Sequence, residues 1–128
     1  MTAVASASSS TVDLVSVTST QAQAWVEVPV TDPVFAGHYP GFPVLPGVYL
    51  IEFADRVAQT WLTQGPGDGR AVRLAAIDSC RFRGPVYPGE RLEIRLSAVE
   101  GELTCTVTLS TASGAAADLK LRYQDGAA

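Results

Sequence analysis

The chain has 128 residues, enough to bury one core and too few for two independent domains. Its residues are 47% hydrophobic and 17% charged, the balance of a folded protein, and no uncharged apolar run reaches the roughly 18 residues that a membrane span needs. A net charge of -4, a pI of about 4.8 and the lack of any Lys/Arg tract exclude the electrostatic footprint of a nucleic-acid binder.

The first ten residues, MTAVASASSS, lack the basic start and apolar stretch of a secretory signal and read as a loose tail (1–10) on a single domain (1–128). From Val12 to Val30 β-branched residues alternate, most clearly Val26, Val28 and Val30 against Trp25, Glu27 and Pro29, which predicts one or two strands. Between Asp32 and Gly47 stand Pro33, Pro40, Pro43 and Pro46 with three glycines, which excludes regular structure and predicts a stiff, shaped loop. The segment VYLIEFADRVAQTWLTQ then runs free of Gly and Pro from Val48 until the GPGDG stop, predicting a helix of about four turns. Apolar residues surround its first turns, so the helix is expected to be buried all round rather than amphipathic. Beyond it, three alternating stretches predict a β-meander: Val72, Leu74 and Ala76; Leu92, Ile94 and Leu96; Leu103, Cys105, Val107 and Leu109. Reversals are expected at Glu100 to Glu102 and at Ser113 and Gly114, with a final strand through Leu119, Leu121 and Tyr123. The fold class that follows is α+β, one long helix laid on an antiparallel sheet.

Cys80 and Cys105 make neither a CxxC pair nor a metal-ligand spacing, and with a single histidine in the chain no metal site can be assembled. Reduced thiols and a cytoplasmic location are the expectation. Two residues could carry chemistry. Glu52 is a carboxylate flanked by Val48, Leu50, Ile51 and Phe53, and burying it costs several kcal/mol unless it is paired or neutral. Either it pairs with Arg56 four residues on, or it is an acid whose pKa apolar surroundings raise into the range of a general acid. His38 is an exposed loop residue or, with a pKa near neutrality, a base. The loop ends at Pro46 and Gly47, where the free N–H groups of a helix start could hold a carbonyl oxygen and stabilise an enolate.

These residues lie in a pattern. HYPGFPVLPGVYLIE closely resembles the HFPGxPVMPGVLxxE signature of the FabZ-type 3-hydroxyacyl-[acyl-carrier-protein] dehydratases, with Glu52 fourteen residues after His38. A second block, IDSCRFRGPVYPGERLEI from Ile77 to Ile94, resembles that family's IDxxxFRxPVxPGDxL, and TDPVFAGH resembles its NExFFxGH entrance. The resemblance implies a hot-dog fold, a helix wrapped by a curved antiparallel sheet, in which two subunits share each active site. It implies His38 as the base, Glu52 of the other subunit as the acid and the Gly47 N–H as carbonyl donor, with Val48 and Phe53 lining the substrate and no metal or cofactor. The implied partners are an acyl carrier protein, met by Arg81 and Arg83 with Arg56, Arg91 or Arg95 nearby, and a second subunit, identical or related, in dimers or higher oligomers. The chain departs from the family after Glu52: AxAQ is replaced by Phe53, Ala54, Asp55 and Arg56, which reshapes the acyl tunnel and favours polyketide or unusual acyl chains over housekeeping fatty-acid synthesis. The rival readings are a non-catalytic or half-catalytic partner in a heterodimer, disfavoured by the presence of both His38 and Glu52, and a hot-dog thioesterase, disfavoured by the HYPGFPVLPG loop.

Overall fold

A computed structural model of the chain describes residues 12–28, 45, 47–64, 71–99 and 102–126. The tail at 1–10, most of the proline-rich loop with His38, and the GPGDG turn lie outside the described residues.

The described residues form β1 (Val12–Val17), β2 (Gln21–Glu27), α1 (Gly47–Gln64), β3 (Val72–Phe82), β4 (Arg91–Ala98), β5 (Thr104–Thr111) and β6 (Gly114–Asp125). The strands make one six-stranded sheet in the order β1-β2-β4-β5-β6-β3, and every pairing is antiparallel. Strands β2, β4, β5 and β6 each alternate as the sequence predicts, with one dry face. Ala24, Ile94, Leu109 and Ala117 stand opposite one another across four strands, a row of small and large side chains under the helix. The β5–β6 reversal is a two-residue hairpin between paired Thr111 and Gly114; the latter's φ of 132° lies where side chains are strained, so glycine follows from conformation. The reversal expected at Glu100 to Glu102 closes with the Glu102 N–H donating to the Val99 carbonyl at 3.0 Å.

Two expectations change. The helix begins at Gly47, one residue earlier than Val48, and its 18 residues make about five turns, the expected segment of about four turns being itself closer to five. Nor is it buried all round: Leu50, Phe53, Ala54, Val57, Ala58, Trp61 and Leu62 are at most 2% exposed at i, i+3 and i+4 spacing, but Val48 on the opposite side is 64% exposed. The apolar residues of the first turns therefore exceed what one chain's sheet can cover. The Trp61 indole N–H, deep in the core, donates to the Thr18 carbonyl at 3.0 Å and so leaves no donor unpaired.

Strand β3 also runs further than the alternation at Val72, Leu74 and Ala76 suggests, reaching Phe82. Register shifts between Leu74 and Ala76 and between Ile77 and Ser79 break the period of two, so the second half of the strand carries no readable pattern. It lies at the sheet edge, paired with β6, and its residues 77–82 are exposed.

Candidate active site

The site is built where the end of β3 meets the start of α1. The Leu45 N–H donates to the Val86 carbonyl at 2.8 Å, and both side chains are buried, at 4% and 1% exposed. Arg83 and Gly84 both donate backbone N–H groups to the Ala116 carbonyl, at 2.8 and 3.3 Å, which fixes the chain leaving β3 against β6. The ring of Phe82 rests on Gly47 so closely that a Cβ there would lie 2.7 Å from two ring carbons. The two motif blocks of the sequence thus touch, the second holding the helix start of the first. The first N–H groups of a helix have no acceptor within it, and the macrodipole adds positive potential at that end.

Five positions along α1, about 7.5 Å up the axis, stands Glu52. Its side chain is 35% exposed, and its Oε2 lies 3.6 Å from an Arg56 nitrogen. Arg56, 21% exposed, also sits 5.4 Å above the ring of Phe53. The i,i+4 pairing open in the sequence is therefore formed, loosely. Among the described residues no donor reaches Glu52 Oε2 at hydrogen-bond distance.

A second carboxylate on the helix is committed elsewhere. Asp55 accepts from the Tyr123 hydroxyl at 2.5 Å and from the Gln59 amide at 3.0 and 3.1 Å. Burial, then this hydrogen bond, raises the Tyr123 hydroxyl pKa well above its ordinary value, so the phenol stays a donor. Of the two acids, Asp55 is committed to hydrogen bonds within the fold, whereas among the described residues Glu52 makes only the loose pair with Arg56. Neither the Asp55–Tyr123 bond nor the Phe82–Gly47 contact was legible beforehand; the only trace of the latter is the Phe before Arg83 in the second motif.

The remaining sequence-predicted residues are dispersed. Val48 is exposed beside Gly47, whereas Phe53 is 1% exposed and faces the core, behind the site rather than on its surface. Arg81 is exposed on β3, and Arg83 is ion-paired to Asp118 at 2.6 Å. Arg91 pairs with Glu27 and stacks on Trp25, and Arg95 pairs with Glu93, both on β4 with β5 and β6 between them and β3. They do not join Arg81 and Arg83 in one rim. His38 lies outside the described residues. Among the described residues no group of three or more His, Cys, Asp or Glu side chains could hold a metal, and no helix is long and apolar enough to cross a membrane.

A family profile for the ApeI dehydratases matches residues 15–120. The chain belongs to the ApeI-like dehydratase family. Among curated relatives, the 3-hydroxyacyl-[acyl-carrier-protein] dehydratase FabZ of Bacillus velezensis is 33% identical over 110 residues, covering 73% of this chain and 78% of that protein. The FabZ of an Anaeromyxobacter species is 37% identical over 82 residues, or 60% of this chain, which spans about half of that relative's length (52%). Among solved structures, the dehydratase heterocomplex ApeI:P from Xenorhabdus doucetiae superposes with a TM-score of 0.69 at 25% identity, covering 83% of this chain and 88% of that one. The helix on its antiparallel sheet is accordingly a hot-dog fold, and the FabZ-type resemblance read from the two motifs is borne out.

Proposed function

We propose that this ApeI-like protein dehydrates 3-hydroxyacyl thioesters held on an acyl carrier protein, giving trans-2-enoyl thioesters in fatty-acid or polyketide assembly. The observation that carries the reading is Glu52, a helix carboxylate five positions beyond the Gly47 start whose buried Oε2 meets no hydrogen-bond donor among the described residues, in a chain of a dehydratase family. The thioester oxygen accepts from the Gly47 N–H at the positive end of α1, which stabilises the enolate that forms as the α-proton leaves. His38 takes that proton, Glu52 delivers one to the 3-hydroxyl, the C3–O bond breaks as C2=C3 forms, and water departs. Val48 lines the approach, Phe53 supports it from the core, and Arg81 with Arg83 faces the carrier.

The exposed apolar residues near the site, Val48, Phe82 and Tyr87, support a second subunit as their cover, with His38 of one subunit facing Glu52 of the other. That partner is a second copy or a related chain; the Xenorhabdus relative is a dehydratase heterocomplex, which favours testing the latter. A cytoplasmic location belongs to the same proposal.

Incubation with 3-hydroxyacyl carrier protein is expected to remove one water from the intact acyl group, and His38→Ala and Glu52→Gln each to lower kcat by about 10²- to 10⁴-fold. Full activity in either variant would overturn the assignment. Native mass of the protein alone and with a related subunit distinguishes the two assemblies, and release of free acid without enoyl product would mark a thioesterase instead.

A further inference from the structure

Phe82 is the last residue of the edge strand, and its ring is not a core ring: it is 54% exposed. Yet it lies in contact with the helix start. A Cβ on Gly47 would stand 2.7 Å from Cε1 and Cζ and 3.1 Å from Cε2, well inside the roughly 3.5–4.0 Å of ordinary carbon contacts, so the ring edge lies on the Gly47 α-carbon itself. Its backbone cannot drift away, because Phe82 pairs with Ala117 and the next two N–H groups are held by the Ala116 carbonyl. Gly84 fits only without a side chain, a Cβ there falling 2.9 Å from the Ala115 carbonyl oxygen. The Arg83–Asp118 pair at 2.6 Å and the Leu45–Val86 hydrogen bond at 2.8 Å close the arrangement on either side. A large apolar ring is thus held half in water, against the one residue whose N–H the dehydratase reading places on the substrate carbonyl.

We propose that Phe82 is a specificity-determining residue, its ring limiting the bulk accepted on the α-carbon of the thioester whose carbonyl sits at the Gly47 N–H. The proposal rests on the dehydratase reading above. An oxygen accepting from Gly47 lies about 2.9 Å from its nitrogen, one bond from the carbon the ring covers, so the ring lies within reach of whatever the carbonyl carbon bears. One neighbour of that carbon is the sulfur, common to every carrier thioester. The other is the α-carbon, the variable one, and it carries the proton the reaction removes. A hydrogen beside the ring fits; a methyl group meets it. One methyl group in a fixed pocket changes kcat/KM by about 10- to 200-fold, enough to sort straight from α-branched chains.

The test compares 3-hydroxyacyl and 2-methyl-3-hydroxyacyl groups on the same carrier protein, the latter still having one α-proton to lose. The unsubstituted protein is expected to favour the straight chain by at least about tenfold in kcat/KM, Phe82→Ala to abolish most of that ratio, and Phe82→Leu to fall between. A ratio left unchanged by Phe82→Ala, or no preference to begin with, overturns the proposal while leaving the dehydratase reading intact. Failure of the unsubstituted protein to dehydrate either substrate overturns both.

Discussion

Along α1, the side turned to the sheet and the side turned away differ in how completely the chain covers them. Leu50, Phe53, Val57, Trp61 and Leu62 are at most 2% exposed, sealed by strands of the same chain. Across the helix, Val48 is 64% exposed, and near the helix start Phe82 at 54% and Tyr87 at 42% leave apolar surface in water. The difference teaches that the chain's own sheet seals one side of α1 and leaves apolar residues beyond the other in water. Substitutions toward the sheet should therefore act on stability, and those on the outer side on turnover.

The largest stability effect is expected at Trp61, which is fully buried and anchored to Thr18. Trp61→Ala removes the ring, leaves a cavity and orphans that carbonyl, at a cost of about 3–5 kcal/mol by urea or guanidinium denaturation. His38→Ala and Glu52→Gln should leave the same transition nearly in place. A small loss at Trp61, or a large one at Glu52, would break the division between the two sides.

What the sequence revealed follows the same line. Strands β2, β4, β5 and β6 have one dry face each, so their period of two survives in the residue order. Strand β3 was half missed because its two register shifts scramble that period and its outer half has no core to face. The helix was legible as a helix, but the excess of apolar residues in its first turns read as burial within one chain. Glu52 stood out as a carboxylate among apolar helix residues and Gly47 as a helix start, and motif spacing joined them in one expected site. Phe82 and Asp55 did not stand out, because their roles arise from contacts with Gly47 and Tyr123, 35 and 68 residues away in sequence.

Next in size is a pH effect confined to the inner side. Burial, with the nearby charge of Asp55, pushes the Cys105 thiol up to about 12, and burial with the Asp55 bond raises the Tyr123 hydroxyl as well. Both groups stay neutral in the folded chain at a pH where the unfolded chain ionises them. Their contribution is complete below the ordinary thiol value of 9.0 and is lost as the pH climbs toward 12. Each group that ionises only on unfolding lowers stability by about 1.4 kcal/mol per pH unit, the thiol first and the phenol from its ordinary value upward. Denaturation curves across this range should show that decline, and Cys105→Ala should remove the thiol's share of the slope. A slope unchanged by that substitution would place the alkaline sensitivity elsewhere.

The smallest effect is expected where the two sides meet, at Arg56, which pairs with Glu52 at 3.6 Å and rests on the Phe53 ring. The pair is partly exposed and looser than a hydrogen bond, so solvent screens it, and an i,i+4 pair of this kind contributes about 0.2–0.5 kcal/mol. The guanidinium over Phe53 adds about 0.5–1 kcal/mol. Arg56→Ala should therefore cost no more than about 1.5 kcal/mol in denaturant unfolding, the sum of those two contributions. Lys at this position keeps the charge but stacks less well on the ring, so Arg56→Lys should recover the ion-pair share and only part of the rest. If Arg56→Ala instead cost as much as Trp61→Ala, the outer side would be part of the scaffold after all, and the separation of stability from turnover along α1 would fail at the residue beside its acid.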